Sequence, residues 1–457
     1  MKRRNSSFIK VLFSLILIVL IAGTAFIYVS PQFEKNSPVV EFKENVYWNL
    51  RDKLTMNLLD DSGIKYYKIT FKDGNSEKVL KQEILATPKK SITLELEAPK
   101  FNMFFKSKEV SLIVEAIDNS KWNFFDGNKT INSYKIKIDK KRPVVEIISN
   151  SYAIRRGGSA VVIVKIEDEN LKDAYLSFSK KERFELIPFY KENYYMALIG
   201  WPVTLTEFNG ANIVAMDKAN NFSQTKVPLY IRALKMRKSN IKISDSFINN
   251  VSTKVIEQSA ETIPDSLEKI FVKQNDLIRA KNVATIRRVS SDYMNKDRVD
   301  NFGIGVFKRL KNASTAGYFG QKRHYYHNRE KIDEAWHLGV DWASVKRADI
   351  KTSNGGTVIF NDYLGIYGNT IIIDHGYGLQ TLYAHTSASS VNVGDSVNKG
   401  QKIGNTGTTG AVLGDHLHFG VLIQGVEVNP LEWMDKNWIK TRITDIIKDA
   451  KEVIDNK

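Results

Sequence analysis

The sequence predicts a mainly β protein, in which two β-sandwich modules and a short helical region precede a small antiparallel β-sheet domain. Three observations support this prediction. Apolar and polar residues alternate between about residues 38 and 232, which is typical of strands with one buried face. The period becomes helical between about 238 and 295. Beyond residue 300, short alternating runs are separated by many glycines, as in a strongly bent sheet.

The N-terminus predicts a membrane anchor. A basic cluster precedes an uncharged run from Val11 to Val29, which is long enough to cross a bilayer. Because basic residues precede the run, we expect the N-terminus to stay cytoplasmic and the rest of the chain to lie in the periplasm. Residues 1–30 would then be a single-pass signal anchor in the cell membrane. A cleaved signal peptide is the alternative, since Gly23-Thr24-Ala25 could be a cleavage site.

Composition restricts the partners and the chemistry. The formal net charge of +16 suits a polyanionic surface such as a membrane or an acidic wall polymer, although a general solubility bias would give the same charge. We expect no nucleic-acid partner. The chain contains no cysteine, so a metal site would have to use histidine and carboxylate ligands.

Short signatures recur in the first half of the chain. Pro38-Val-Val-Glu41 returns as Pro143-Val-Val-Glu146, and Ala116-Ile-Asp118 returns as Ala215-Met-Asp217. The offset is about 100 residues, the length of an immunoglobulin-type sandwich. The pattern resembles the tandem Ig-like modules of bacterial envelope proteins, with boundaries at 36–140 and 141–235. We expect a stiff spacer or a clamp on the next domain; an adhesin or scaffold role is the alternative.

Residues 236–300 are expected to form a helical linker of two amphipathic helices, and Pro264-Asp265-Ser266 resembles a helix start. The helices would either be ordinary packing elements or cover the active cleft. In the second case, removal of residues 1–300 should raise activity. Residues 301–436 would then form the final β domain, and residues 437–457 a terminal helix.

The sequence His416-Leu417-His418 is the strongest functional signal. Alternate side chains of a strand share a face, so both imidazoles would point towards one site. A hydrolytic zinc needs three protein ligands and one open position. His337, Asp341 and His418 could supply those ligands, and His385 could supply a further catalytic group. Each motif by itself is more often structural, but their joint occurrence in one glycine-rich domain favours a metal centre.

Residues from about 315 to 435 resemble the catalytic domain of lysostaphin/LytM-type zinc metalloendopeptidases. The segments that carry the resemblance occur in the family's order: Phe319-Gly320 with Arg323, His337-Leu-Gly-Val-Asp341, Gly368-Asn-Thr-Ile-Ile-Ile-Asp-His375-Gly, Thr381-Leu-Tyr-Ala-His385, Val393-Gly-Asp-Ser-Val397, Gly400-Gln-Lys-Ile-Gly404, Gly407-Thr-Thr-Gly410, His416-Leu-His418-Phe, and Asn429-Pro430.

The resemblance implies zinc-dependent hydrolysis of peptide cross-links in peptidoglycan, with Zn²⁺ held by His337, Asp341 and His418. His385 and His416 would be the catalytic pair that does not ligate the metal. The substrate would be the peptidoglycan stem peptides. The cleaved bond could join D-Ala to diaminopimelate or lie in a glycine-containing bridge, and the membrane anchor favours the former. The alternative is a non-catalytic wall-binding regulator of other murein hydrolases, and an envelope protein could in turn regulate this chain.

The remaining histidines are expected to have other roles. His375 occupies a position where the family often has histidine, and we interpret it as structural. His324 and His327 are predicted to lie in a loop at the edge of the groove, where a ligand role is not favoured. Tyr325, Tyr326 and Tyr377 would either line the groove or belong to the core and its rim.

Overall fold

The computed structural model describes residues 6–100, 105–178, 182–208, 210–232, 234–298, 300 and 302–457. Strands predominate over these ranges, so the mainly β class is confirmed. The chain divides into two compact units. The first contains residues 1–142 with 170–172 and 216–222, and the second contains residues 143–169, 173–215 and 223–457.

The first unit starts with helix α1 (Ser6–Val29) and a 3-10 turn (Pro31–Phe33). Within α1, residues 8–29 are apolar and long enough to cross a membrane, which makes the helix compatible with an anchor. One antiparallel sheet with a parallel edge pair follows. Its strands are β1 (Val39–Glu41), β2 (Val46–Trp48), β3 (Leu54–Asp73), β4 (Ser76–Leu96), β5 (Glu109–Asp118) and β6 (Lys129–Ile138).

The long strand β3 has two partners on one edge. Residues 57–59 pair with β1 and residues 64–72 pair with β5, while β4 pairs along the other edge. The Asp60 carboxylate accepts a hydrogen bond from the amide of Gly63, whose φ of +92° suits glycine, and the register shifts there. The register shift at Gly63 therefore lets β3 pair with β1 before this point and with β5 after it.

Residues 144–232 form two four-stranded sheets, in the orders β11-β10-β14-β15 and β12-β13-β9-β7, and a short parallel pair of β8 and β16. The strands are β7 (Val144–Asn150), β8 (Ala153–Arg155), β9 (Ser159–Glu167), β10 (Leu171–Ser177), β11 (Arg183–Glu185), β12 (Ile187–Pro188), β13 (Tyr194–Gly200), β14 (Ala211–Asp217), β15 (Phe222–Val227) and β16 (Tyr230–Arg232). The two predicted repeats thus differ in their sheets, and their division into Ig-like domains stays a prediction.

The repeated Asp signature has a shared physical basis. The Asp118 carboxylate accepts bonds from the backbone N–H of Asn128 at 2.7 Å and from its side-chain amide at 2.7 Å. The Asp217 carboxylate accepts the same two bonds from Asn221, at 2.8 and 2.7 Å. Both carboxylates are buried. In both repeats the recurring aspartate therefore fixes an asparagine of the loop that follows the strand.

The predicted helical linker begins with a strand, β17 (Lys238–Lys242), which pairs in parallel with a strand of the final domain. Two helices follow, each with a π-helical segment. The first contains α2 (Asp245–Phe247), the π segment Ile248–Ser252 and α3 (Thr253–Gln258). The second contains α4 (Leu267–Lys273), the π segment Gln274–Ile278 and α5 (Arg279–Asp292). The Ser266 hydroxyl caps α4, as the Pro-Asp-Ser pattern predicts.

The final domain is built on an eight-stranded sheet in the order β18-β21-β29-β25-β24-β23-β27, with β30 paired to β29, and on two three-stranded sheets, β17-β19-β20 and β22-β28-β26. Its strands are β18 (Ser314–Gly317), β19 (Lys322–His327), β20 (Glu330–Trp336), β21 (Val340–Ala343), β22 (Asp349–Lys351), β23 (Gly356–Tyr363), β24 (Asn369–Asp374), β25 (Leu379–Ala384), β26 (Thr386–Ser389), β27 (Ser396–Val397), β28 (Lys402–Thr406), β29 (Leu417–Ile423) and β30 (Val426–Val428). A 3-10 turn spans Gly365–Tyr367, and the chain ends in α6 (Pro430–Trp433), α7 (Lys436–Ile439), the π segment Lys440–Thr444 and α8 (Asp445–Asp455).

The linker helices share a hydrophobic core with this domain. Buried helical residues such as Phe271, Ile278 and Ile286 belong to one apolar cluster with Tyr367 and Leu382 of the final domain. Burial of a side chain of this size stabilises the fold by about 1.5–3 kcal/mol. The helices therefore pack against the eight-stranded sheet and help to support it.

Residues 143–232 also contact the final domain. The buried Glu432 carboxylate of α6 accepts a bond from Arg155 Nε at 2.6 Å and another from the backbone N–H of Ser159 at 2.8 Å. The indole N–H of Trp433 donates to the Ser159 hydroxyl at 3.1 Å. Since a buried carboxylate without partners is strongly destabilising, these contacts hold α6 against β8 and β9.

Candidate metal centre

Two neighbouring strands and one loop bring three potential ligands together. Asp341 on β21 lies directly opposite His418 on β29 in the antiparallel register. His337 follows the end of β20, in the short connection to β21. One side-chain donor atom of each residue lies within 4.8 Å of the others, and all three residues are buried. The convergence arises because β20 ends at Trp336, just before His337, and the chain turns within three residues into β21, which carries Asp341.

The hydrogen bonds of His337 determine which ring nitrogen faces the site. Its Nδ1 lies 2.9 Å from the carbonyl oxygen of Tyr318, so Nδ1 carries the proton and donates it. The other nitrogen, Nε2, lies 3.0 Å from Asp341 Oδ1 and 3.2 Å from His418 Nδ1. Burial lowers the pKa of His337 to about 4, so the ring is neutral and Nε2 is an acceptor.

This arrangement fits a cation. His337 Nε2 and Asp341 Oδ1 are two acceptors at 3.0 Å, and they repel each other unless a proton or a cation lies between them. The third potential donor atom, His418 Nδ1, lies 2.9 Å from the same Asp341 oxygen. In a tetrahedral zinc site with bonds of about 2.0–2.1 Å, ligand atoms are separated by about 3.4 Å. The nitrogen and oxygen donors therefore have the chemistry and approximate spacing that zinc requires.

The surroundings keep Asp341 ionised and His418 in place. Burial alone would raise the pKa of the Asp341 carboxyl, but a proton on the facing His337 or His418 ring, or a cation between them, holds that pKa well below its usual range. Its second oxygen, Oδ2, accepts a bond from Arg323 Nη2 at 3.1 Å. A Cβ at Gly339 would lie 2.5 Å from His418 Nε2, so any residue other than glycine would displace the His418 ring.

Two further histidines lie beside the three potential ligands. The ring centroids of His385 and His416 are 4.9 Å apart, and His385 is 5.8 Å from His418. His385 Nδ1 lies 2.8 Å from the Thr409 carbonyl, and His416 Nδ1 lies 2.8 Å from the Gly414 carbonyl. Because each Nδ1 donates to a carbonyl, each Nε2 is left for substrate or water. Burial lowers the pKa of His385 well below its ordinary value.

The backbone of His385 is strained. Its φ is +62°, in the left-handed region that residues other than glycine and asparagine seldom adopt. The residue follows β25 directly, and its amide donates to the Tyr367 carbonyl at 2.8 Å. The turn directs the imidazole towards β29 instead of along its own strand. The sequence motif identifies this residue but gives no sign of the unusual backbone.

A cavity of about 270 Å³ opens at this cluster. One side is formed by the final domain, including all five histidine and aspartate residues described above. The other side is formed by the linker region, including Phe247, Phe271 and Gln274. Of the three tyrosines considered from sequence, Tyr325 lines the cavity and packs edge-on against Phe271, with 5.0 Å between ring centroids. The buried Tyr377 packs against Phe302 instead.

The predicted loop that contains His324 and His327 is a strand. Residues 322–327 form β19, which pairs with β17 on one side and β20 on the other. The turn to β20 uses Asn328 and Arg329, both with positive φ, which is typical of a tight hairpin. The prediction of a loop was wrong; a strand with one exposed face tolerates the charged and polar residues of this segment. His375, predicted to be structural, bonds to the Gly355 carbonyl and the Thr381 hydroxyl, away from the five site residues.

His327 attaches both linker helices to the final domain. Its Nε2 lies 2.7 Å from Asp245 at the start of α2, and its Nδ1 lies 2.6 Å from Glu268 in the first turn of α4. The ring is buried. The pKa of His327 is raised, chiefly by the hydrogen bond with Asp245, which outweighs the opposite effect of burial. The bond with Glu268 raises it further. Both nitrogens donate only in the imidazolium form, so the contact requires a protonated ring.

We therefore expect the free energy of unfolding to fall as pH rises through the raised pKa of His327. The stabilisation is fully present below the unfolded-state pKa of 6.5 and is lost above the folded-state pKa. His327→Gln should remove this pH dependence, because glutamine does not titrate. Urea unfolding between pH 6 and 9 measures the effect. His324→Gln on the same strand is the matched control, and equal pH profiles for the wild type and His327→Gln would contradict the prediction.

Comparison with known proteins finds a family match that covers most of this region of the chain. Residues 335–430 match the model of peptidase family M23. The DD-carboxypeptidase/endopeptidase Mpg of Neisseria meningitidis is 41% identical over 95 residues, which cover 21% of this chain and 22% of that protein. The murein hydrolase activator EnvC of Escherichia coli is 32% identical over 117 residues, which cover 26% of this chain and 28% of that protein.

Among solved structures, the catalytic domain of lysostaphin from Staphylococcus simulans is 26% identical, with coverage of 27% of this chain and 94% of that one and a TM-score of 0.24. In its sequence matches, this chain spans only about a fifth of the length of relatives such as Mpg. Residues 335–430 are thus similar to peptidase family M23, which agrees with the resemblance that the motifs of this region indicated.

Proposed function

We propose that this chain is a zinc-dependent endopeptidase that hydrolyses peptide cross-links of peptidoglycan. The observation that carries the proposal is the set of five side chains at one cavity, where three buried donors face one point and two further imidazoles adjoin them. The M23 family match and a relative named as a DD-carboxypeptidase/endopeptidase support a peptidoglycan hydrolase. The substrate would be the stem peptides of the wall.

Each residue has a defined task in this proposal. His337, Asp341 and His418 would hold zinc, which when bound supplies the Lewis acidity that hydrolysis of a peptide bond needs. Arg323 holds the second oxygen of Asp341 and so fixes the direction of the first. His385 and His416 each present Nε2 to the cavity. One ring, neutral, accepts a proton from the attacking water at Nε2, and the other, protonated at both nitrogens, donates from Nε2 to the developing oxyanion.

The anchor and the location belong to the same proposal. Helix α1 would span the inner, cytoplasmic membrane once, with the short basic N-terminal segment inside and the catalytic domain in the periplasm. The enzyme would then act on wall close to the membrane. An envelope protein that binds the chain would be a natural regulator of an enzyme in this position.

Hydrolysis of purified murein by the full chain is the direct test. We expect clearing of a murein gel that is lost after removal of metal by a chelator and restored by added zinc. Mass spectrometry of the released muropeptides identifies the bond, and we expect cleavage between D-Ala and diaminopimelate. Intact murein after treatment with the zinc-loaded, folded chain would refute the proposal.

A non-catalytic role is the second candidate, because one relative is named as an activator of murein hydrolases. In that case the chain would bind the wall or another hydrolase without cutting the substrate itself. The presence of all five site residues favours catalysis. The murein digestion described above separates the two candidates.

The linker side of the cavity is expected to restrict access. Removal of residues 1–300 is a poor test of this, because the shared core would be exposed at the same time. Phe247→Ala is milder, since Phe247 is half-buried and lines the cavity. We expect Phe247→Ala to raise the rate of cleavage of cross-linked murein by about two- to fivefold. Such a factor corresponds to lowering the barrier to substrate entry by less than about 1 kcal/mol. Leu267→Ala, on the same helical region but outside the cavity lining, is the control, and an unchanged or lower rate for Phe247→Ala would contradict the prediction.

A further inference from the structure

A second cavity lies on the opposite face of the catalytic sheet. Its volume is about 590 Å³, and its floor contains Trp342, Tyr383 and Phe419. These rings pack together, with 5.0 Å between the centroids of Trp342 and Phe419 and 5.4 Å between those of Tyr383 and Phe419. Its volume falls in the range of about 300–1,000 Å³ that is usual for ligand sites.

The alternation of strand residues separates the two cavities. On β21, Asp341 faces the metal centre and the next residue, Trp342, lines the second cavity. On β29, His418 faces the metal centre and its neighbour Phe419 lines the second cavity. Successive residues of a strand point to opposite faces, so the two cavities lie back to back across the sheet.

The rim of the second cavity is strongly basic. Six cationic residues line it: Lys308, Arg309, Lys311, Arg347, Lys351 and Lys399. In the described part of the chain, none of their side chains forms an ion pair with a carboxylate, and all six residues are exposed. The single acidic residue of the lining, Asp349, is paired with Lys402 at 2.7 Å. Six like charges around one concave surface create a positive potential that attracts a polyanion.

We infer that this cavity is a second binding site for peptidoglycan, which takes the free carboxylates of stem peptides beside the one being cut. The inference rests on the proposed function, because it takes the substrate of the metal centre to be this acidic polymer. The cavity at the metal centre, at about 270 Å³, admits only a short stretch of peptide. A basic site of about 590 Å³ on the reverse face would hold the domain on the polymer between cleavages.

The test measures binding of the full chain to purified sacculi, with His385→Ala in every protein so that the substrate stays intact. The triple variant Lys308→Gln, Lys311→Gln, Lys351→Gln removes three charges from the rim. We expect about tenfold weaker binding at low ionic strength, since each exposed charge contact contributes modestly. The difference should disappear at about 1 M salt, where charges are screened within about 3 Å.

A matched triple variant is Lys226→Gln, Lys254→Gln, Lys436→Gln. These three exposed lysines lie outside the cavity, and the substitutions change the net charge equally. We expect their effect on binding to be less than twofold. Equal weakening by the two triple variants would show a general charge effect and overturn the inference, as would unchanged binding of the rim variant. Thermal unfolding of both variants verifies that they are folded.

Chemically modified sacculi identify the anion. Amidation of the wall carboxylates should remove the difference between the rim variant and its control, while removal of phosphate-containing polymers should leave it. The reverse pattern would assign the site to a phosphate polymer and overturn the inference.

Cleavage of a small soluble muropeptide by the same variants, without the His385 substitution, should equal that of the wild type. If no protein cleaves it, the proposed function fails while the binding result stands on its own.

Discussion

His418→Ala is expected to lose both zinc binding and murein hydrolysis. The ring supplies one of only three donors that face the proposed metal position, and its Nδ1 lies 2.9 Å from Asp341. Two remaining donors hold zinc much more weakly, and hydrolysis without the metal lacks its main electrostatic stabilisation. We expect activity to fall by more than the about 10²–10³-fold that removal of one oxyanion donor causes. Elemental analysis of the purified protein and gel assays on murein measure the two effects.

His324→Ala is the matched control for this experiment. His324 lies on β19 of the same domain and is not among the residues that line the catalytic cavity. The control should keep one zinc per chain and full activity. If His418→Ala retained stoichiometric zinc and normal hydrolysis while folded, the proposed metal site would be wrong.

His385→Asn is expected to separate catalysis from metal binding. His385 lies beside the three proposed ligands without belonging to their group, and its Nδ1 is already bound to the Thr409 carbonyl. Asparagine is chosen because it tolerates the positive φ of this position better than alanine does. We expect unchanged zinc content and a loss of activity of about 10²–10⁴-fold, the usual range for a missing general acid or base.

The comparison with His416→Asn completes this experiment. Both histidines present Nε2 to the cavity. The cleavage rate of each variant is measured as a function of pH, and the loss of the acidic or of the basic limb of this profile shows which histidine acts as the base and which as the acid. Loss of zinc from His385→Asn would mean that the ring is a ligand and would contradict the proposed division of roles. Near-normal activity with bound zinc would exclude a catalytic role for His385.

The site residues were accessible from sequence because their motifs are local. His416 and His418 lie two positions apart at the start of a strand, and the spacing of His337 and Asp341 matches a strand end followed by a turn. The structure brings all of them and His385 to one cavity. Their roles as ligands and catalytic groups stay predictions until the variants above are measured.

The linker shows where sequence reasoning reached its limit. Helical periodicity predicted its two helices, and Ser266 caps one of them. The pairing of β17 with β19 was not predictable, because a parallel partner 80 or so positions away leaves no local pattern. The same holds for His327, whose two carboxylate partners come from separate helices. His327 was predicted to lie in a loop, and nothing nearby in the sequence indicated the helices that cover it.

The strand and helix periods, the apolar N-terminal helix and the five residues of the candidate site could be predicted from the sequence alone. These features depend on residues that are close in the chain, where alternation, capping and motif spacing act directly. In contrast, the folded chain is needed to see that the linker helices line the cavity at the candidate metal centre and that six cations surround a second cavity behind the sheet. Such arrangements depend on which distant segments pack together, and the free energy of that packing is a property of the whole fold.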